Sequence, residues 1–101
     1  MGFVRAAGVN EIPAGKIAEV TVQEKCVALA NVDGKFYAIS GICLHEGGPL
    51  GEGDLDGQVV TCPWHAWQFD VTTGKVHANQ GMGVETYPVE IRGNDVFIDV
   101  G

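Results

Sequence analysis

Early in the chain, hydrophobic residues recur at every second position. Ala18, Val20 and Val22 alternate with Glu19, Thr21 and Gln23, the period of a strand with one buried face. An apolar run from Cys26 to Val32 and another from Phe36 to Ile39 predict two more strands. Between them lies Asp33-Gly34, a pair that tolerates the positive φ of a tight hairpin turn. Val59 to Thr61 reads as a short strand, and Gln68–Val71 and Lys75–His77 flank a turn at Thr72-Thr73-Gly74. Near the end, Val89 and Ile91 alternate with Glu90 and Arg92, Gly93-Asn94 turns, and Val96, Ile98 and Val100 alternate again. Pro88 cannot donate to a ladder and is expected at an edge or bulge. No apolar 3.6-residue period is long enough for a sizeable helix. The expected fold class is all-β.

The composition changes between Gly41 and Gly57. Six glycines (Gly41, Gly47, Gly48, Gly51, Gly53, Gly57) and Pro49 argue against a helix or a long strand there. Glycine lets a backbone approach a neighbour closely. Because Cys43 and His45 lie inside it, the stretch is expected to fold around a cofactor rather than act as a loose connector.

Two short segments carry the chemistry: Cys43-Leu44-His45 and Cys62-Pro63-Trp64-His65, with sixteen residues between His45 and Cys62. Each offers one thiolate and one imidazole, donors suited to a transition metal or an iron–sulfur cluster. Two cysteines and two histidines can build a tetrahedral zinc site, but its usual knuckles pair Cys with Cys and His with His. Here each knuckle is mixed. A [2Fe–2S] cluster with two thiolates on one iron and two imidazoles on the other accommodates that arrangement.

The pattern Cys-x-His, sixteen residues, Cys-x-x-His resembles the Rieske signature, and the chain looks like a soluble Rieske-type ferredoxin. The resemblance extends to Gly47-Gly48-Pro49-Leu50, Trp67-Gln68-Phe69-Asp70 and Thr73-Gly74-Lys75, to Asp33–Ile39 upstream and to Tyr87-Pro88-Val89 downstream. It implies a Rieske fold, an antiparallel base with a small cluster-binding subdomain (about residues 42–77) inserted into a single domain, 1–101. It further implies one [2Fe–2S] cluster per chain, held by Cys43 and Cys62 on one iron and by His45 and His65 on the other. High-potential relatives carry a serine two residues after the second histidine and a tyrosine four residues after it. Here those places hold Trp67 and Phe69, which donate no hydroxyl. Those relatives also carry a loop disulfide where this chain has Gly48 and Trp64. Both absences resemble the low-potential ferredoxins, near the lower end of about −150 to +300 mV. Many relatives place a proline in the covering loop, which here reads Asn79-Gln80-Gly81-Met82-Gly83. Met82 could fill that gap or serve as an ordinary apolar anchor. Trp67 is expected to pack, and Trp64 either to pack or to dock a partner.

A chain of 101 residues forms one domain, and nothing in it suggests a second cofactor pocket or a substrate cavity. It is therefore expected to carry electrons rather than catalyse bond chemistry, with no small-molecule substrate of its own. The resemblance implies transient partners, a flavin-dependent reductase as donor and a ring-hydroxylating dioxygenase or related monooxygenase as acceptor. Other readings are a Rieske-like small subunit of a nitrite-reductase-type enzyme and a structural zinc module. Six basic and thirteen acidic residues give a net charge of −7. That excess of acid argues against nucleic acid and against an anionic membrane surface. It fits either plain solubility or steering towards a basic docking face. With two cysteines committed, Cys26 has no partner for a disulfide and is expected to fill the core. No signal peptide or membrane span is evident, so a cytoplasmic protein is expected. His77 has no spaced partner and is expected to be an exposed strand-end histidine.

Overall fold

The strand β3 (Lys25–Val32) is apolar at successive positions because both of its faces are covered. Val27 and Leu29 point into one core, with Ala7, Val96 and Ile98. Ala28 and Ala30 point into another, with Leu50, Val60 and Phe69. The computed structural model describes residues 2–42, 48–64 and 66–101, and across these the chain is all-β. Its strands lie in three antiparallel sheets.

The middle layer has the order β10-β4-β3-β2, built from β2 (Ile17–Val22), β3, β4 (Lys35–Ser40) and β10 (Thr86–Tyr87). On one side a three-stranded sheet, β1-β12-β11, joins β1 (Val4–Gly8) to β11 (Val89–Arg92) and β12 (Asp95–Ile98). On the other side one continuous stretch of chain folds into the sheet β5-β6-β7-β8-β9. Its members are β5 (Asp54–Asp56), β6 (Val59–Thr61), β7 (Gln68–Asp70), β8 (Lys75–Val76) and β9 (Asn79–Gly83). Phe69, on β7, is the largest fully buried side chain among the described residues and belongs to the core on this side.

Local chemistry fixes the turns. Asp33 and Gly34 both take positive φ, 54° and 92°, and close the β3–β4 hairpin with Val32 opposite Lys35. The buried Asn31 side chain accepts the Gly34 amide at 2.7 Å and donates to the Ile12 carbonyl at 2.8 Å, tying the N-terminal loop to the hairpin. The Asp70 carboxylate accepts the Thr72 amide (2.8 Å) and hydroxyl (2.6 Å) and the Gln58 side-chain amide (2.8 Å), which sets the β7–β8 turn.

Two expectations change and one holds. Strands β1, β5, β9 and β10 were not evident in the pattern; β9 in particular is exposed at all five positions, so no alternation marks it. Pro88 sits at a sheet edge, as expected: β10 and β11, which flank it, are each the outer strand of their sheet. It lies between β10 and β11, where the chain passes from one sheet to another, and its carbonyl accepts the Asp99 amide at 3.1 Å. Cys26 is partly buried rather than a full member of the core, because β3 begins at the sheet margin.

Candidate metal centre

Cys62 follows directly on β6 and is buried to 1% exposure, in the core that also holds Leu50, Val60 and Phe69. Its amide donates to the Trp67 carbonyl at 2.7 Å. Its sulfur accepts the Trp64 amide at 3.4 Å. The loop from 62 to 67 thus folds back on itself, and Ala66 turns it with φ +60°, left-handed backbone that costs an alanine about 1–2 kcal/mol. An amide aimed at sulfur is a contact that a metal-bound thiolate accepts.

The stretch 42–49 is closed at its base. The Gly41 amide donates to the Cys26 carbonyl at 2.9 Å, the Leu50 amide donates to the Gly41 carbonyl at 2.9 Å, and Ile42 bridges Pro49 in antiparallel fashion. Leu50 then anchors the loop in the core with no exposed surface. The two loops that carry the candidate ligand residues touch at Gly48. A Cβ on Gly48 would lie 2.8 Å from Cys62 Sγ and 2.9 Å from Trp64 Cγ, so only glycine leaves the sulfur its place. Gly51 supports the same loop from behind: its own Cβ would meet Glu19 Cα at 2.5 Å, which seats the turn Leu50–Glu52 on β2.

Cys43, His45 and His65 lie outside the described residues. The burial of Cys62, its amide donor and the side-chain-free space at Gly48 fit a thiolate holding a metal centre. Cys26 fits no such role. Burial first, then a hydrogen bond with Glu19 and the charges of Glu19 and Glu52, push its thiol up and keep it neutral. Trp67 is half-buried and packs against the Phe69 core, as expected, whereas Trp64 leaves half its surface exposed. Ile42, which precedes Cys43, is also exposed. His77 lies exposed after β8, with its amide donating to the Gln68 carbonyl. Sequence reasoning missed Ala66, because nothing in a sequence marks an alanine for left-handed backbone.

Residues 2–88 match the Rieske [2Fe-2S] domain. The biphenyl dioxygenase ferredoxin subunit of Pseudomonas sp. (strain KKS102) is 41% identical over 98% of this chain and 93% of its own length. Among solved structures, the Sphingomonas yanoikuyae B1 ferredoxin superposes with a TM-score of 0.88 at 30% identity, over 99% of this chain and 100% of that one. A chain from the complex of reduced oxygenase and oxidized ferredoxin in carbazole 1,9a-dioxygenase matches with a TM-score of 0.85 at 28% identity, over 95% of this chain and 91% of that one.

Proposed function

This chain belongs to the Rieske [2Fe-2S] domain family, and on that footing we propose that it is the ferredoxin component of a ring-hydroxylating dioxygenase system or a related monooxygenase. It carries single electrons from a flavin-dependent reductase to a terminal oxygenase and catalyses no bond chemistry itself. The observation that carries this reading is the family match over residues 2–88, joined to a buried Cys62 whose sulfur accepts an amide.

Cys43 and Cys62 would hold one iron of a bound cluster and His45 and His65 the other, within a single domain whose segment of about 42–77 would form the cluster-binding part. When bound, a [2Fe–2S] cluster supplies a one-electron couple. The chain's own residues do the rest. The Trp64 amide lowers the negative charge felt at Cys62 sulfur, and the half-buried Trp67 with Phe69 keeps water from its inner side. Neither Trp67 nor Phe69 offers a hydroxyl to sulfur, which supports a potential near the lower end of the Rieske range of about −150 to +300 mV. Among the described residues no helix is long and apolar enough to cross a membrane, and we assign the chain to the cytoplasm.

EPR of the anaerobically purified, dithionite-reduced protein tests the assignment. The expected spectrum is anisotropic with a low average g value, typical of mixed His/Cys ligation. A silent protein with stoichiometric zinc would replace the carrier with a structural zinc module.

A further inference from the structure

Beside the second ligand loop the surface opens into a groove of about 350 Å³. Ala66 and Trp67 contribute to its lining, together with Val76, Ala78 and Met82. Among the described residues, no Asp, Glu, Lys or Arg lines it, in a chain whose formal charge is −7. Met82 stands on the exposed edge strand β9 and leaves 39% of its surface open. Its unbranched thioether can reshape to fit an incoming side chain. The groove starts at Ala66, the residue after His65, so it adjoins the second ligand loop.

The other large apolar residues exposed in the described structure are Ile42, Trp64 and Ile91. Ile42 and Trp64 directly precede Cys43 and His65, and only Ile91 stands away from the ligand loops, on β11. Exposed apolar surface therefore gathers beside the ligand-bearing segments. An acceptor must come close to the histidine side to receive an electron, and it covers this surface when it does. Interfaces of transient redox partners are small, so one buried anchor can dominate their affinity.

Resting on the carrier reading above, we infer that the groove between Ala66 and Met82 receives an apolar side chain of the terminal oxygenase and thereby selects which oxygenase the chain serves. The occupant is the oxygenase because a chain of this fold matches one in a solved oxygenase–ferredoxin complex. The uncharged lining calls for an apolar anchor, while the chain's net charge of −7 favours a basic rim on the partner.

The test uses the cluster-loaded full chain and a purified terminal oxygenase that accepts electrons from it. Met82→Asp should weaken binding at least about tenfold, while Met82→Leu stays near wild type. The EPR spectrum should keep its shape and the rate of reduction by the reductase should stay near wild type, and Met82→Leu, which adds no charge, should also keep the reduction potential. Should Met82→Asp lose its cluster, Ala78→Glu, also at an exposed position, carries the same measurement. Unchanged oxygenase affinity in a cluster-loaded groove variant overturns the inference, as does a loss confined to the reductase step. If no oxygenase accepts electrons from the wild-type chain, the carrier reading itself fails, and the groove assignment with it.

Discussion

Gly48 lies against the sulfur of Cys62, close enough that a single added methyl group would sit 2.8 Å from Sγ. This contact joins the two loops that bear the candidate ligand residues, and it explains why the position holds a residue without a side chain. The same methyl would reach within 3.0 Å of the Trp64 side chain, so neither neighbour can yield without moving the loop. Positions 48 and 64, which high-potential relatives link by a disulfide, are here in direct contact through packing alone.

Gly48→Ala is therefore expected to destabilise the folded chain by about 1–3 kcal/mol, the usual cost of overpacking a tight site. It should also lower iron and sulfide content per chain, because Cys62 Sγ must shift. Chemical denaturation paired with iron analysis checks both; full cluster content at wild-type stability would contradict the contact.

Ala66 holds left-handed backbone immediately after His65. Ala66→Val should cost about 1–3 kcal/mol, since a β-branched side chain tolerates positive φ far less well than alanine. Ala66→Gly should fall near wild type, because relief of strain is offset by the greater freedom of glycine in the unfolded chain. Melting curves of the two variants report the difference, and a Val variant as stable as the Gly variant would argue against the left-handed turn.

Asp70 gives the fold an acid limit. Burial works to raise its carboxyl, but the Thr72 hydroxyl and amide, the Gln58 amide and the nearby His77 outweigh it and hold the carboxyl below its ordinary value. A depressed folded pKa contributes stability that is complete above the ordinary value near 3.8 and is lost as pH falls through the folded one. Asp70→Asn should thus cost about 1 kcal/mol at neutral pH, reduced from the 1.5–3 usual for hydrogen bonds to charged groups because the site is mostly solvated. The gap to wild type should close in strong acid. Urea titrations at pH 7 and near pH 3 measure it.

The ligand assignment has its own test. His65→Cys adds a thiolate and its negative charge to the site, so the reduction potential should fall or the cluster should fail to assemble. Voltammetry and EPR on the variant distinguish these results from an unchanged potential, which would remove His65 from the ligand set.

Much of the fold was legible because strand periodicity and turn chemistry are local. Asp33-Gly34 reads as a hairpin turn since two consecutive positive φ values are costly for most residue pairs, and the structure has both. The four candidate ligands stood out because Cys and His in fixed spacing have few other reasons to recur. By contrast, β1 meets β12 across the whole chain, with Val4 opposite Ile98, and no local pattern announces such a pairing. The strand β9 escaped notice because an exposed edge demands no alternation, whereas Pro88 was legible as an edge residue because it lacks the amide that a ladder needs.

The sequence by itself determined the chemistry: which donors are present, how they are spaced, the all-β class and the strongly acidic charge. Only the tertiary structure decided that Cys62 is buried with an amide on its sulfur, that Gly48 touches it, that Ala66 turns the loop left-handed, and that Met82 borders an open groove. The reason is physical. Residue type and spacing set what a chain can bind, but contacts between segments far apart in sequence arise only when three sheets pack around shared cores, and those contacts set which atoms are sheltered and which face a partner.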